Sequence, residues 1–120
     1  MTREEFDTLC RDDVRRAVEG NLGRDPLAVA LDRLKPHAAL VATQVKYLAR
    51  ARTKLPSYYE ARCILPPLAF EQASSEACAA RKSCCGNTVL DLTCGLRVDA
   101  LYLSKRSRDF NTLDREVTLA

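Results

Sequence analysis

The sequence predicts a mixed α/β fold in which helices come first and a βαβ unit follows. Apolar residues repeat at helical spacing through most of the first fifty residues. After Gly86-Asn87 the pattern changes to a short apolar β run, TVLDL. A glycine turn, a second helical segment and another short strand then follow, which is the order of a βαβ unit.

The N-terminal segment is expected to form one helix that ends near Gly20. Thr2 and Glu5 have the spacing of a capping box, and apolar residues recur from Phe6 to Val18 at helical intervals. Glycine readily adopts the left-handed conformation that ends many helices. The segment 1–20 is therefore predicted to be helical throughout.

Two further helices are predicted before residue 51. Asp25 and Pro26 are suited to the cap and first position of a helix. Its predicted buried stripe is Leu27, Ala30, Leu31 and Leu34. A third helix is expected after Pro36 and runs to about Arg50.

The remainder divides into a connector and the βαβ unit. Residues 51–73 contain three prolines and no sustained period, which predicts a mostly irregular connector with one helical turn at 58–62. A helix capped by Ser74 or Ser75 should follow and stop at Gly86-Asn87. Strands at 88–92 and 110–113, parallel and joined by a right-handed helical crossover at 98–105, complete the prediction. The expected domains are a helical region at 1–50, a connector at 51–73 and the start of an α/β domain at 74–120.

Composition narrows the class of protein. The chain has 120 residues, of which 47% are hydrophobic and 29% charged, a balance unlike that of disordered or membrane proteins. The N-terminus is charged from the start and has no apolar signal core, so a soluble cytoplasmic protein is expected. Six cysteines without a Cys-x-x-Cys pair, and one distant histidine, predict reduced thiols and no metal site.

Positive charge is concentrated in the middle of the chain. Between Lys46 and Arg62 there are five basic residues and one acid, and tyrosines are interleaved. Such a segment can bind phosphates and stack bases, or it can be a solvated helix end whose tyrosines pack on another part of the protein. The candidate nucleic-acid-binding residues are Arg50, Arg52 and Lys54.

The stretch from Asp91 to Asp114 carries the clearest chemical pattern. A strand ends at Asp91, a turn with Gly95 follows, and Asp114 comes after the next strand. In nucleotide-binding α/β folds, the glycine turn lets the backbone approach the ligand and the second-strand acid accepts hydrogen bonds from ribose hydroxyls. Both features lie at the carboxyl ends of the strands, where a ligand crevice forms.

This pattern resembles motif I of class I S-adenosylmethionine (SAM)-dependent methyltransferases. Asp91 and Gly95 match its first two positions and Asp114 matches the acid that holds the ribose, whereas Arg97 stands at the third position, which is usually glycine. The resemblance implies a Rossmann-like methyltransferase fold and SAM as cofactor. The cofactor-binding residues that it implies are Asp91, Thr93, Gly95, Asp99 and Asp114.

The preceding segment narrows the resemblance to a bacterial group of methyltransferases that carry a C-terminal THUMP-like domain. Residues 52–56 (RTKLP), Gln72 and residues 74–76 (SSE) match segments that precede motif I in that group. THUMP domains bind RNA, so the resemblance implies RNA or another nucleic acid as substrate.

The resemblance also implies that further strands belong to the complete enzyme. Class I methyltransferases place the adenine-binding position after strand three and a catalytic motif after strand four. We therefore expect this chain to be a truncated N-terminal portion that is inactive alone, with the rest of the domain in a full-length protein. The alternative is a non-catalytic helical module that binds RNA or protein and derives from a degenerate methyltransferase gene.

Overall fold

The computed structural model describes residues 1–32, 34–83 and 86–114, and it divides the chain into two compact units. The first unit comprises Met1–Pro67 and the second begins at Leu68. Within the described residues the fold is mostly helical, with a small two-stranded parallel sheet. The predicted mixed α/β class is therefore correct, and helices precede strands as expected.

The first unit is built from short helices around one long helix. Its helices are α1 (Arg3–Cys10), α2 (Asp12–Gly20), α3 (Pro26–Ala30), α4 (Ala38–Lys54) and α5 (Pro56–Glu60). Four of them, α1, α2, α3 and α5, contact α4. Its buried apolar side chains include Leu9, Val14, Val18, Val29, Val45, Leu48 and Leu55. The long helix is therefore the centre of this unit.

The expected single N-terminal helix is in fact two helices. The capping box of Thr2 and Glu5 is present, with hydrogen bonds of 2.7 and 3.2 Å. Arg11 then adopts an extended backbone between α1 and α2. Its guanidinium forms a two-pronged ion pair with Asp13, and this contact lowers the pKa of Asp13 below its ordinary value. The helical spacing of apolar residues continues across Arg11, so the sequence pattern gave no sign that the helix is interrupted there.

The predicted buried stripe on the second helix is wrong. Asp25 caps α3 and Pro26 begins it, as expected, but the helix ends after five residues. Leu27, Leu31 and Leu34 are exposed, by as much as 96% for Leu34, and Val29 is the buried residue of α3. A helix of little more than one turn cannot keep a stripe of four residues on one face.

The connector is more regular than predicted. Helix α4 continues four residues beyond Arg50, and α5 and α6 (Pro67–Gln72) lie within 51–73. Prolines stand at or next to the first positions of α5 and α6, where the missing N–H causes no loss. The buried Gln44 side chain also orders the segment after α5, since it donates to the Leu65 carbonyl at 3.1 Å and accepts from the Leu65 N–H at 2.9 Å.

The second unit carries the sheet. It contains α6 from Leu68 onward, α7 (Glu76–Arg81), β1 (Thr88–Asp91), α8 (Val98–Leu103) and β2 (Asp109–Thr112). The strands are parallel, with Thr88 opposite Asp109 and Asp91 opposite Thr112. The predicted parallel pairing is thus confirmed, with strand ends shifted by one residue. Ser75, rather than Ser74, caps α7 by accepting from the Cys78 N–H at 3.1 Å.

Candidate functional site

The loop after β1 folds over the carboxyl end of β2. Beyond the last residue of the ladder, the Leu113 N–H donates to the Asp91 carbonyl at 2.7 Å. The Cys94 N–H then donates to the Leu113 carbonyl at 3.3 Å. These bonds extend the contact between the strands and bring the glycine turn beside the residue that follows β2.

Asp114 and Gly95 meet at this edge of the sheet. The Asp114 Oδ2 accepts a hydrogen bond from the Gly95 N–H at 2.7 Å, and the Cys94 Sγ lies 3.6 Å from the same oxygen. The structure therefore brings together the turn and the acid that the sequence pattern pairs.

Two residues of the loop have left-handed backbone conformations. Gly95 has φ of 46° and Arg97 has φ of 61°. Arg97 is also the N-cap residue of α8, and it makes no side-chain capping bond. The position where the motif usually has glycine thus has the backbone that favours glycine, although arginine occupies it.

Asp91 and Thr93 shape the start of the loop. The Asp91 Oδ1 accepts from the Thr93 N–H at 3.0 Å, which forms a turn closed by an aspartate side chain. Asp91 is half-buried and Thr93 is exposed. The Asp91 carbonyl also accepts from the N–H of Leu113, which precedes Asp114 in sequence.

Asp99 has a different set of partners. Its Oδ2 accepts from the Lys82 ammonium at 2.8 Å and from the Ser74 hydroxyl at 3.1 Å. Its Oδ1 is buried and has no hydrogen-bond donor among the described residues. Asp99 therefore joins α8 to the segment around α7, and it does so with one oxygen only.

Sequence reasoning missed two other residues that hold α7 and α8 together. The Tyr102 hydroxyl donates to the buried Glu76 carboxylate at 3.1 Å. The Arg106 guanidinium donates to the carbonyls of Ala80 and Lys82, both at 2.6 Å. Carbonyls at the end of a helix lack partners within it, but Arg106 lies 24 residues after Lys82, so local spacing gave no sign of this contact.

The candidate nucleic-acid-binding residues separate within the first unit. The Arg50 guanidinium lies 5.5 Å from the ring centre of Tyr47, whereas that of Arg52 lies 5.7 Å from the ring centre of Tyr59. Residues two apart on a helix are about 200° apart around its axis. Arg52 thus belongs with Arg62, whose guanidinium lies 4.3 Å from the Tyr59 ring centre, and not with Arg50 and Lys54.

The cysteines in the described residues are free thiols that differ in exposure. Cys10 and Cys78 are exposed, Cys63 is half-buried and Cys94 is buried, all four as free thiols. Cys84 and Cys85 lie outside the described residues. No group of three or more potential metal ligands occurs at 1–32, 34–83 or 86–114. No helix in these ranges is long and apolar enough to cross a membrane.

Comparison with known proteins identifies no relative. No protein-family model, curated protein sequence or solved structure matches the chain.

Proposed function

We propose that this chain contributes the glycine loop and the ribose-binding acid of a SAM-dependent methyltransferase with a Rossmann-like fold. RNA or another nucleic acid is the proposed substrate. The hydrogen bond between the Gly95 N–H and Asp114 is the observation that supports this proposal best, because it places a glycine turn and a carboxylate together beyond two parallel strands.

The residues at this edge fit the ribose part of the cofactor. A carboxylate has about four acceptor positions, so Asp114 can accept from ribose hydroxyls while one oxygen holds the Gly95 N–H. The buried Oδ1 of Asp99, on α8, also lacks a hydrogen-bond donor among the described residues. When bound, SAM supplies an activated methyl group; the described residues hold and orient its ribose.

Arg97 is the departure that most affects the proposal. Its backbone already has the conformation expected of the usual glycine, but its side chain is bulky and always charged. The resemblance also assigns adenine contacts to a strand beyond the two described here. We therefore expect no saturable binding of SAM at micromolar concentration, and weaker binding confined to this loop.

Amide NMR of the labelled chain tests the proposal. Millimolar SAM should shift the Gly95 amide signal and those of its neighbours in the loop. Asp114→Asn should weaken this response at least about tenfold, because a hydrogen bond to a charged group contributes about 1.5–3 kcal/mol. Asp109→Asn removes the same charge from an exposed position on β2 and should leave the response unchanged.

Two outcomes would contradict the proposal. One is a Gly95 signal that does not respond to millimolar SAM, and the other is a response that survives Asp114→Asn. Calorimetric titration with micromolar SAM is the complementary measurement. Saturable binding there would show that Arg97 is no obstacle.

A further inference from the structure

Two arginines of the first unit lie against one tyrosine ring. Arg52 comes from the last turn of α4, Tyr59 from α5 and Arg62 from the segment just after α5. The distances from guanidinium carbon to ring centre are 5.7 Å for Arg52 and 4.3 Å for Arg62. Arg62 also donates a hydrogen bond to the Tyr59 carbonyl, so its position is fixed at both the ring and the backbone.

Local backbone geometry produces this arrangement. Leu55 is fully buried and ends α4, and Pro56 immediately begins α5, so α5 turns back beside the last turn of α4. After α5, Arg62 adopts a left-handed backbone with φ of 52°, and the Cys63 N–H donates to the Tyr58 carbonyl at 3.0 Å. The chain thus returns Arg62 to the ring that Arg52 already approaches.

Neither arginine of this pair forms an ion pair within the described residues. Arg15 lies with Arg62 in the wall of a shallow cleft, where Glu19 is the one acid among the lining residues. The sequence from 33 to 59 contains no acid, and Glu60, between Tyr59 and Arg62, is in none of the ion pairs found in the described residues. Two positive charges beside the same ring repel one another, and a bound anion would relieve that repulsion.

We propose that Arg52 and Arg62, with Tyr59 between them, bind the phosphate backbone of a single-stranded nucleic acid. Guanidinium groups bind phosphate through paired N–H donors, and their flat faces also stack on exposed bases. The ring of Tyr59 lies within 5.7 Å of both guanidinium carbons. We call these three residues the Arg52–Tyr59–Arg62 surface.

Other anionic partners fit the observations less well. A membrane surface would favour apolar side chains beside the positive charges. The exposed large hydrophobic residues described in the first unit are Met1, Phe6, Leu27, Leu31 and Leu34, and none lies between Lys46 and Arg62. An acidic peptide would use the charges but not the aromatic ring beside them. The combination of charge and aromatic stacking favours nucleic acid.

The inference deepens the proposed function, because it rests on the proposed nucleic-acid substrate and names part of the surface that contacts it. It does not depend on SAM. The Arg52–Tyr59–Arg62 surface belongs to the first unit, whereas Gly95 and Asp114 belong to the second. Failure of one proposal can therefore be told apart from failure of the other.

Fluorescence anisotropy with a labelled oligouridine RNA tests the inference across a range of salt concentrations. For the double variant Arg52→Gln/Arg62→Gln we expect at least a tenfold loss of affinity. The slope of log affinity against log salt should also fall by about 1.4, since each phosphate contact on a single strand contributes about 0.7. Arg3→Gln/Arg16→Gln removes two charges from α1 and α2 and should cause a much smaller loss.

A second variant separates the contribution of the charges from that of the guanidinium shape. Arg52→Lys/Arg62→Lys keeps both charges but loses the flat guanidinium planes, so the salt slope should stay and the affinity should fall. Circular dichroism is the check that each variant keeps its helices. Equal losses in the two glutamine variants, or tighter binding to phosphatidylserine vesicles or a phosphopeptide than to RNA, would overturn the inference. The Gly95 amide response to SAM should be the same in all these variants.

Discussion

Arg97 occupies a left-handed backbone conformation immediately before α8. A residue with a Cβ adopts this conformation at a cost of roughly 1–2 kcal/mol. Gly95, two residues earlier, adopts a similar conformation without that cost. A single residue thus determines how much strain the candidate cofactor loop contains.

Arg97→Gly is expected to stabilise the chain by about 0.5–1 kcal/mol, since relief of the left-handed conformation exceeds the entropy that glycine adds to the unfolded state. The free energy of unfolding in urea is the measurement. Arg97→Ala removes the same side chain but keeps the Cβ, so it should bring no such gain. If both variants stabilise the chain equally, the arginine side chain and not its backbone is the source of strain.

The joint between α7 and α8 depends on polar side chains as well as apolar ones. Ser74, Lys82 and Asp99 form one group of hydrogen bonds, and Glu76 and Tyr102 form another. Ala79, Val98 and Ala100 are buried apolar residues of the same two helices. Small apolar residues bury little area, so the charged and hydroxyl groups add much of the specificity of this contact.

The Tyr102–Glu76 hydrogen bond predicts a pH dependence at the alkaline end. Burial raises the pKa of Tyr102, and the hydrogen bond to Glu76 and the charge of Glu76 raise it further. Because the folded state favours the protonated phenol, this contribution to stability is complete below the ordinary tyrosine pKa of about 10. It is lost as the pH rises through the pKa of the folded state.

Glu76→Gln should therefore lower the pKa of Tyr102 toward its ordinary value. Ultraviolet absorbance of phenolate formation is the measurement, and Tyr102→Phe identifies which of the four tyrosine transitions is affected. Glu4→Gln changes an exposed acid of α1 and should leave that transition in place. An unchanged Tyr102 transition in Glu76→Gln would contradict the hydrogen bond in solution.

At the scale of the whole molecule, the thiols are spread through both units and differ in accessibility. Cys10 and Cys78 are exposed and Cys94 is buried. Burial raises the pKa of the half-buried Cys63 thiol, although the nearby Arg15 opposes part of that change. Because the thiolate is the reactive form, a raised pKa slows reaction with disulfide reagents.

A disulfide reagent should therefore find six free thiols in the denatured chain under non-reducing conditions. In the folded chain, Cys10 and Cys78 should react before Cys63 and Cys94. Reaction of the fully reduced chain is the control for the total. Fewer than six groups without prior reduction would show that a disulfide forms, against the expectation drawn from cysteine spacing.

The sequence alone determined the features that depend on near neighbours in the chain. The capping box at Thr2 and the Asp25 cap follow from local spacing. The parallel pairing of the strands follows from the helical segment between them, because parallel strands need a crossover connection. The pairing of Gly95 with Asp114 was also predictable, because consecutive parallel strands bring their carboxyl ends to one edge.

Only the tertiary structure decided the features that depend on distant partners. It exposed the leucines of α3, bound Asp99 to Lys82 and brought Arg62 to the tyrosine that Arg52 contacts. In each case the partner lies on another element or beyond a turn, so neither spacing nor composition specifies it. A helical period shows which residues share a face, but the packing of neighbouring helices determines which face is buried.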